Sequence, residues 1–278
     1  MKRIAIFCVN YNSYRELTGY FQSLLSAVSK ANAGQEAVVS LDVFVADNTE
    51  ENPQEIALGD TGTLPITCRI FPFHRNLGYF GAVGEMMKEV DVSVYDYVLI
   101  SNVDLTVADD FFVKLLDYPC DATTGEIAPQ IYSQGEMRDK NPKILHRYSL
   151  RKLKILKLLY HYPILETLYT RTFYRRKKYH QPHPAGQIYA GHGSLVILTK
   201  KYFELCGKID YPVFLFCEEI YLAEQCLKAG LSVEYVPDIK VMDAEHVSTG
   251  CMRHGFYCRC NYEAMRYIID RFYKMPDY

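Results

Sequence analysis

Tryptophan is absent from this chain of 278 residues, and so is any long apolar run. No stretch approaches the roughly 18–20 apolar residues of a membrane-spanning helix, so a spanning protein is not expected. Cysteine occurs 9 times, an odd count without framework spacing, which argues against a disulfide scaffold. Met1 to Phe7 enter a strand-like run at once, without the pattern of a signal peptide. Free thiols in a reducing cytoplasm are therefore the expectation. In place of tryptophan, 24 Tyr and 14 Phe supply core bulk and stacking surfaces within a 49 % hydrophobic composition. The length suits one large α/β domain or a domain with an appendage.

The net charge of −2 conceals an asymmetry. Residues 143–178 carry 11 of the 31 Lys and Arg but only one acid, Glu166, for a local charge of +10. The remainder holds 20 basic against 32 acidic residues. Such a block is a local device rather than a bulk property.

Ile4 to Val9 reads as a buried parallel strand ending at Asn10-Tyr11-Asn12. Ser13 to Glu16 has the form of a capping box, opening a helix with Leu17, Phe21, Leu24, Leu25 and Val28 as its apolar stripe. Leu41 to Ala46 is a second strand ending at Asp47-Asn48, and Thr67 to Phe71 is a third. That third strand leads to Asn76-Leu77-Gly78-Tyr79-Phe80-Gly81 and a helix. Tyr97 to Ser101 is a fourth, running into Asn102-Val103-Asp104. This alternation predicts an α/β, doubly wound and mostly parallel sheet with helices on both faces. Ligands in such sheets bind at the carboxyl ends of the strands, where Asn10, Asp47, Asn76 and Asp104 fall. Further strands are expected at 125–132, 193–198 and 232–236, with helices at 218–228 and 256–273.

Three features carry chemistry. Asp104 stands at a strand tip, Glu218-Glu219 opens a helix, and His246 follows a strand-like stretch ending in Val241-Met242. A tip carboxylate and an imidazole can hold Mg²⁺ or Mn²⁺ beside a diphosphate, and a second carboxylate can take a proton from an attacking hydroxyl. Glu218 and Glu219 point about 100° apart on a helix, so one of them serves as base. The bland alternatives are an Asp104 that caps a helix near Ala108, an Asp47 in an Asx turn, and a glutamate pair that merely stabilises a helix N-terminus. Gly191-His192-Gly193 is either an acceptor floor or a tight turn.

Together these residues resemble the family 2 glycosyltransferases of the GT-A fold. The carriers are Tyr11-Asn12 after the first strand, Asp47-Asn48, Asn76 to Gly81, Asn102-Val103-Asp104, Phe214 to Leu222 and His246. The segments 76–81 and 102–104 are similar to the rhamnosyl- and galactofuranosyl-transferase-like branch. The resemblance spans roughly residues 1–135 and 185–250. It implies an inverting transfer from a nucleotide-sugar donor to a glycan or lipid-linked acceptor in cell-surface polysaccharide synthesis. It also implies donor contacts from Asn10, Tyr11, Asn12, Asp47, Asn76, Gly78, Tyr79, Gly81 and Asn102, and acceptor contacts from Gly191, His192 and Gly193. Metal ligation falls to Asp104 and His246, and catalysis to Glu219 with Glu218 beside it. Val103, Glu219, Tyr221 and Gln225 depart from the family pattern.

A single domain over 1–278 is expected. Residues 1–110 form its nucleotide half and 111–250 its acceptor half, with a basic helical insertion at 143–180 and a C-terminal helix at 251–278. The insertion, with Leu153, Ile155, Leu156, Leu159 and Tyr160 on one arc and Arg175 to Lys178 beyond, suits an anionic membrane surface on the cytoplasmic face. Packing on the protein itself or on a second subunit is the competing reading, and a homodimer stays open. No nucleic-acid-binding motif is present. Zinc at Cys251, His254, Cys258 and Cys260 is set aside, because Cys258 and Cys260 point about 200° apart on a helix. Two other functions compete: a non-catalytic sugar-nucleotide-binding or scaffold subunit, and a sugar nucleotidyltransferase. The absence of glycine from Asn10 to Ser13 argues against the second.

Overall fold

The computed structural model describes residues 1–34, 36–56, 59, 61–172, 183–244 and 252–274. β1 (Lys2–Asn10) pairs in parallel with β2 (Val39–Asp47) and β4 (Tyr97–Asn102), and β3 (Ile66–Pro72) pairs in parallel with β2. β5 (Leu105–Val107), β6 (Thr124–Ser133), β9 (Leu195–Thr199) and β10 (Ser232–Asp243) complete the strand order β3-β2-β1-β4-β9-β6-β10-β5. β7 (Arg138–Asp139) adds to β6, and β8 (Gly186–Ile188) to β10.

Side chains alternate across a strand, and β1 shows the consequence. Ile4, Ile6 and Cys8 enter one core with α1 (Tyr14–Ala31) and α3 (Phe111–Asp117). Ala5 and Phe7 enter the other core, with α2 (Tyr79–Glu89), α6 (Lys200–Cys206), α7 (Glu218–Lys228) and α8 (His254–Ile268). The sheet is doubly wound as expected. Each fully buried Leu, Ile or Phe contributes about 1.5–3 kcal/mol, so the two cores fix the sheet edge firmly.

β9 is antiparallel to both β4 and β6, while β6 and β10 are parallel. The carboxyl ends of β1, β2, β4, β6 and β10 therefore meet the amino end of β9 on one edge. Two expectations need correction. β10 runs unbroken to Asp243, joining the short strand expected at 232–236 to the strand-like stretch ending in Val241-Met242, because a register shift between Val236 and Lys240 absorbs Pro237. Ser13 forms no capping box, since its φ of −120° and ψ of 47° turn its hydroxyl to the Tyr11 carbonyl.

In the basic insertion, α4 (Leu150–His161) is capped by Ser149, whose hydroxyl accepts the Lys152 N–H. α4 buries Leu153 and half-buries Leu156 and Tyr160; the Tyr160 ring meets Tyr257 of α8. Ile155, placed on the inward arc by the sequence, is instead 50 % exposed beside Leu158. Lys152, which interrupts that arc, lies over the Tyr148 ring. α5 (Pro163–Thr172) buries no residue. Among the described residues no helix is long and apolar enough to cross a membrane. Arg175, Arg176, Lys177 and Lys178 lie outside the described residues.

Candidate active site

Asn10 is fully buried at the end of β1, where its amide donates to Asp47 and its carbonyl oxygen accepts the Ser13 N–H. Asp47, 2 % exposed, also accepts the Thr49 N–H and the Tyr14 hydroxyl. Its contact with Thr49, two residues on, is the Asx turn weighed above, and Asn10 and Tyr14 supply two further donors. Tyr11 is exposed on the ledge above, and Asn12 holds a φ of 56° with its N–H on Thr49 Oγ1.

Asn76 accepts the Gly78 N–H, and Asn48 donates to the Gly78 carbonyl at 2.9 Å. Gly78 has a φ of 74°, and a Cβ there would lie 2.0 Å from the Phe214 carbonyl oxygen. Only glycine satisfies both the angle and the contact. Gly81 lies inside α2, where a Cβ would meet nothing nearer than Leu77 at 3.9 Å. Tyr79 opens that helix and donates its hydroxyl to the Gly193 carbonyl at 3.0 Å. Burial, and then the charges of Glu218 and Asp104 among others, push its phenol well above the ordinary range.

Asp104 caps no helix: β5 follows it directly, and α3 starts only at Phe111. Its Oδ1 is buried without a hydrogen-bond partner. Burial first and Asp243 second push its carboxyl up to about 6. Asp243 ends β10, where Lys140 Nζ reaches it at 2.9 Å. Neighbouring Asn102 gives its N–H to the Ser194 carbonyl. An orphaned buried carboxylate oxygen with a like-charged neighbour is a donor set that fits a hard divalent cation. His246 lies outside the described residues.

Phe216 and Cys217 both hold positive φ, 74° and 62°, immediately before Glu218. Two successive non-glycine residues in this region mark stored strain, and the Tyr211 hydroxyl helps hold it by donating to the Phe216 carbonyl at 2.6 Å. The strained turn aims the first turn of α7 at the sheet edge. Glu218 is 6 % exposed, and burial, then Glu219, push it up to about 8. Half-buried Glu219 places Oε2 4.0 Å from where a Cβ on Gly193 would sit.

A Cβ at Gly191 would lie 2.7 Å from Glu126 Oε1 and 2.9 Å from the Ala128 Cβ, so any larger residue there must displace its neighbours. Glu126, 2 % exposed within β6, is pushed up to about 8 by burial and by Glu219, against the opposing Gly191 N–H. His192 gives its backbone N–H to Asn141 and accepts the Ser194 N–H at Nδ1, an arrangement that assigns the ring proton to Nε2. Burial, then Lys143, Lys140 and Arg138, hold it well below 6.5. The structure thus joins Asn102, Tyr79, Asp104, Gly191 to Gly193, Glu218 and Glu219 on one edge. Asn10, Asp47 and Asn76 support it from beneath.

The sequence analysis missed Asp243 and Glu126. Asp243 carries the same strand-tip signal as Asp104, directly after the strand-like stretch ending in Val241-Met242. Glu126 sits inside an apolar run, with no pattern to betray it. A separate group, Glu166 on α5 with His254 and Cys258 on α8, brings three metal-ligand-type atoms within 4.8 Å of one another.

The mostly parallel central sheet with helices on both faces is consistent with a GT-A-like doubly wound fold. No family model matches the chain, and no curated protein matches it in sequence. Solved structures do. S. aureus TarS is 12 % identical with a TM-score of 0.55, over 100 % of this chain and 41 % of that one. TarS 1-349 is 11 % identical with a TM-score of 0.55, over 97 % and 65 %. GalNAc-T7 with UDP, GalNAc and Mn²⁺ is 11 % identical with a TM-score of 0.58, over 96 % and 48 %. The chain spans less than two thirds of each of these chains. This likeness establishes the fold.

Proposed function

We propose that this chain is an inverting, divalent-metal-dependent glycosyltransferase. It moves a hexosyl or rhamnosyl unit from a nucleotide-sugar donor to a glycan or lipid-linked acceptor. The observation that carries the reading is the orphaned Asp104 carboxylate on the same edge as Glu219 and the Gly191–Gly193 loop. Asp104, with Asn102 beside it, would hold Mg²⁺ or Mn²⁺, which when bound supplies charge neutralisation to a departing diphosphate. One similar structure contains UDP and Mn²⁺ together, in keeping with this. Glu219 takes the proton of the acceptor hydroxyl as it attacks the anomeric carbon. Glu218, pushed up to about 8 by burial and by Glu219, is largely protonated at neutral pH and contacts the acceptor or holds the helix start. Tyr11 offers an exposed ring at the donor end. The segments 76–81 and 102–104 support the rhamnosyl- and galactofuranosyl-transferase-like branch and a role in cell-surface polysaccharide synthesis.

The same proposal places the protein on the inner, cytoplasmic face of a membrane. Ile155, Leu158, Ile164 and Leu168 are 50–77 % exposed on α4 and α5, beside Arg151 and Lys154. Exposed apolar side chains among basic ones suit an anionic lipid surface. A turnover assay over a panel of nucleotide sugars, with and without Mn²⁺, tests the reading. Metal-dependent release of nucleoside diphosphate is expected from at least one donor. Donor binding with no turnover across the panel and a range of glycan acceptors would make the chain a non-catalytic binding subunit.

A further inference from the structure

We propose a zinc site, separate from the Asp104 edge, built from Glu166 of α5 and from His254 and Cys258 of α8. His254 and Cys258 are four residues apart on one helix and so share a face. Cys258 Sγ lies 3.5 Å from His254 Nε2, and Glu166 Oε2 lies 2.7 Å from the same nitrogen. Zinc bonds of ~2.0–2.3 Å in tetrahedral geometry separate neighbouring ligand atoms by roughly 3.3–3.6 Å. The sulfur–nitrogen distance already meets that spacing. The glutamate needs to withdraw by roughly half an ångström, which exchanges its hydrogen bond for a metal bond.

The ligand types decide the metal. The Cys258 thiolate is a soft donor that selects zinc, whereas magnesium and manganese favour oxygen-rich shells without sulfur. The site is therefore unsuited to the donor metal assigned to Asp104, and it shares no residue with that edge. Loading exchanges protons for the ion. The Cys258 thiol proton leaves to solvent, and the imidazole proton on Nε2 moves to Nδ1 or to solvent. His254 is half-exposed, which gives water access to the fourth position.

The site has a structural purpose in this fold. α5 buries no residue of its own, and the Glu166–His254 pair ties it to α8. A metal clamp there fastens the apolar and basic hairpin to the body of the protein. Cys260, also buried on α8, points away from the cluster, as the separation of Cys258 and Cys260 on a helix requires.

The test uses the full chain, stripped with chelator and titrated with Co²⁺ as a spectroscopic stand-in. One equivalent should bind with a thiolate-to-cobalt charge-transfer band that Zn²⁺ displaces and excess Mg²⁺ does not. Cys258→Ser should abolish the band, His254→Ala and Glu166→Gln should weaken uptake, and Cys260→Ser should change nothing. Circular dichroism of each variant separates lost ligation from lost fold, and Glu166→Gln carries the test if Cys258→Ser does not fold. No charge-transfer band in the parent overturns the proposal. So does a band unchanged in both Cys258→Ser and Glu166→Gln.

Discussion

Tyr79 donates its hydroxyl to the Gly193 carbonyl at 3.0 Å, and that bond joins the start of α2 to the loop before β9. The two segments are 114 residues apart in sequence. The donor-side and acceptor-side walls of the candidate site are thereby held to each other. Tyr79→Phe leaves the Gly193 carbonyl unpaired, so it should cost about 1–3 kcal/mol in urea unfolding. In the proposed reaction it should raise the acceptor KM. An unchanged acceptor KM would show that the bond serves stability alone.

The two buried glutamates make stability depend on pH in a definite direction. Glu126 and Glu218 ionise near 4.5 when unfolded and at about 8 when folded. Between those values the folded state keeps protons that the unfolded state has lost. Stability therefore falls as pH rises through this window and levels off above it, by on the order of a few kcal/mol for each group. Urea midpoints across the window should decline for the parent, with a shallower slope for Glu126→Gln. A parent midpoint that rises with pH, or equal slopes in both proteins, contradicts the assignment.

The adjacent glutamates should respond unequally to the same change. Glu219→Gln removes a proton acceptor and should lower turnover about 10²–10⁴-fold with donor affinity nearly intact. Glu218→Gln replaces a carboxyl that is already protonated near neutrality, so its effect should be much smaller. The check is kcat and donor Kd for both variants. The opposite ranking would move the base to Glu218.

The exposed face of α4 and α5 should bind anionic vesicles and release them at high salt. Each nearby Lys or Arg contributes about 1 kcal/mol, and salt screens it. Ile164→Asp with Leu168→Asp should reduce co-sedimentation, since both side chains are more than half exposed and free to insert. Equal sedimentation with neutral vesicles, or none with either kind, argues for another partner on this face.

The first half of the fold was legible because strand and helix alternate there with clear periods and polar strand tips. Asn10, Asp47 and Asp104 were placed correctly at one edge by that rule alone. What stayed hidden was set by tertiary pairing. β10 continues past Pro237 because a bulge absorbs it, and this is what carries Asp243 to Asp104. Ile155 faces outward because α4 rolls Leu153 onto the body, a rotation that an isolated helical wheel cannot fix. The partner of His254 and Cys258 lies on a different helix, so no spacing rule within α8 could include Glu166. The Tyr14 and Asn10 contacts of Asp47 were equally invisible, since both form only in the folded ledge, whereas its Thr49 contact is the Asx turn the sequence allowed.

The most direct test of the account is calorimetric binding of nucleoside diphosphates, with and without Mn²⁺, to the parent protein and to Asp104→Ala. The account predicts that Mn²⁺ tightens binding to the parent, and that Asp104→Ala removes this gain while keeping the fold by circular dichroism. Equal affinity with and without Mn²⁺ in the parent, or an undiminished metal effect in Asp104→Ala, would contradict it.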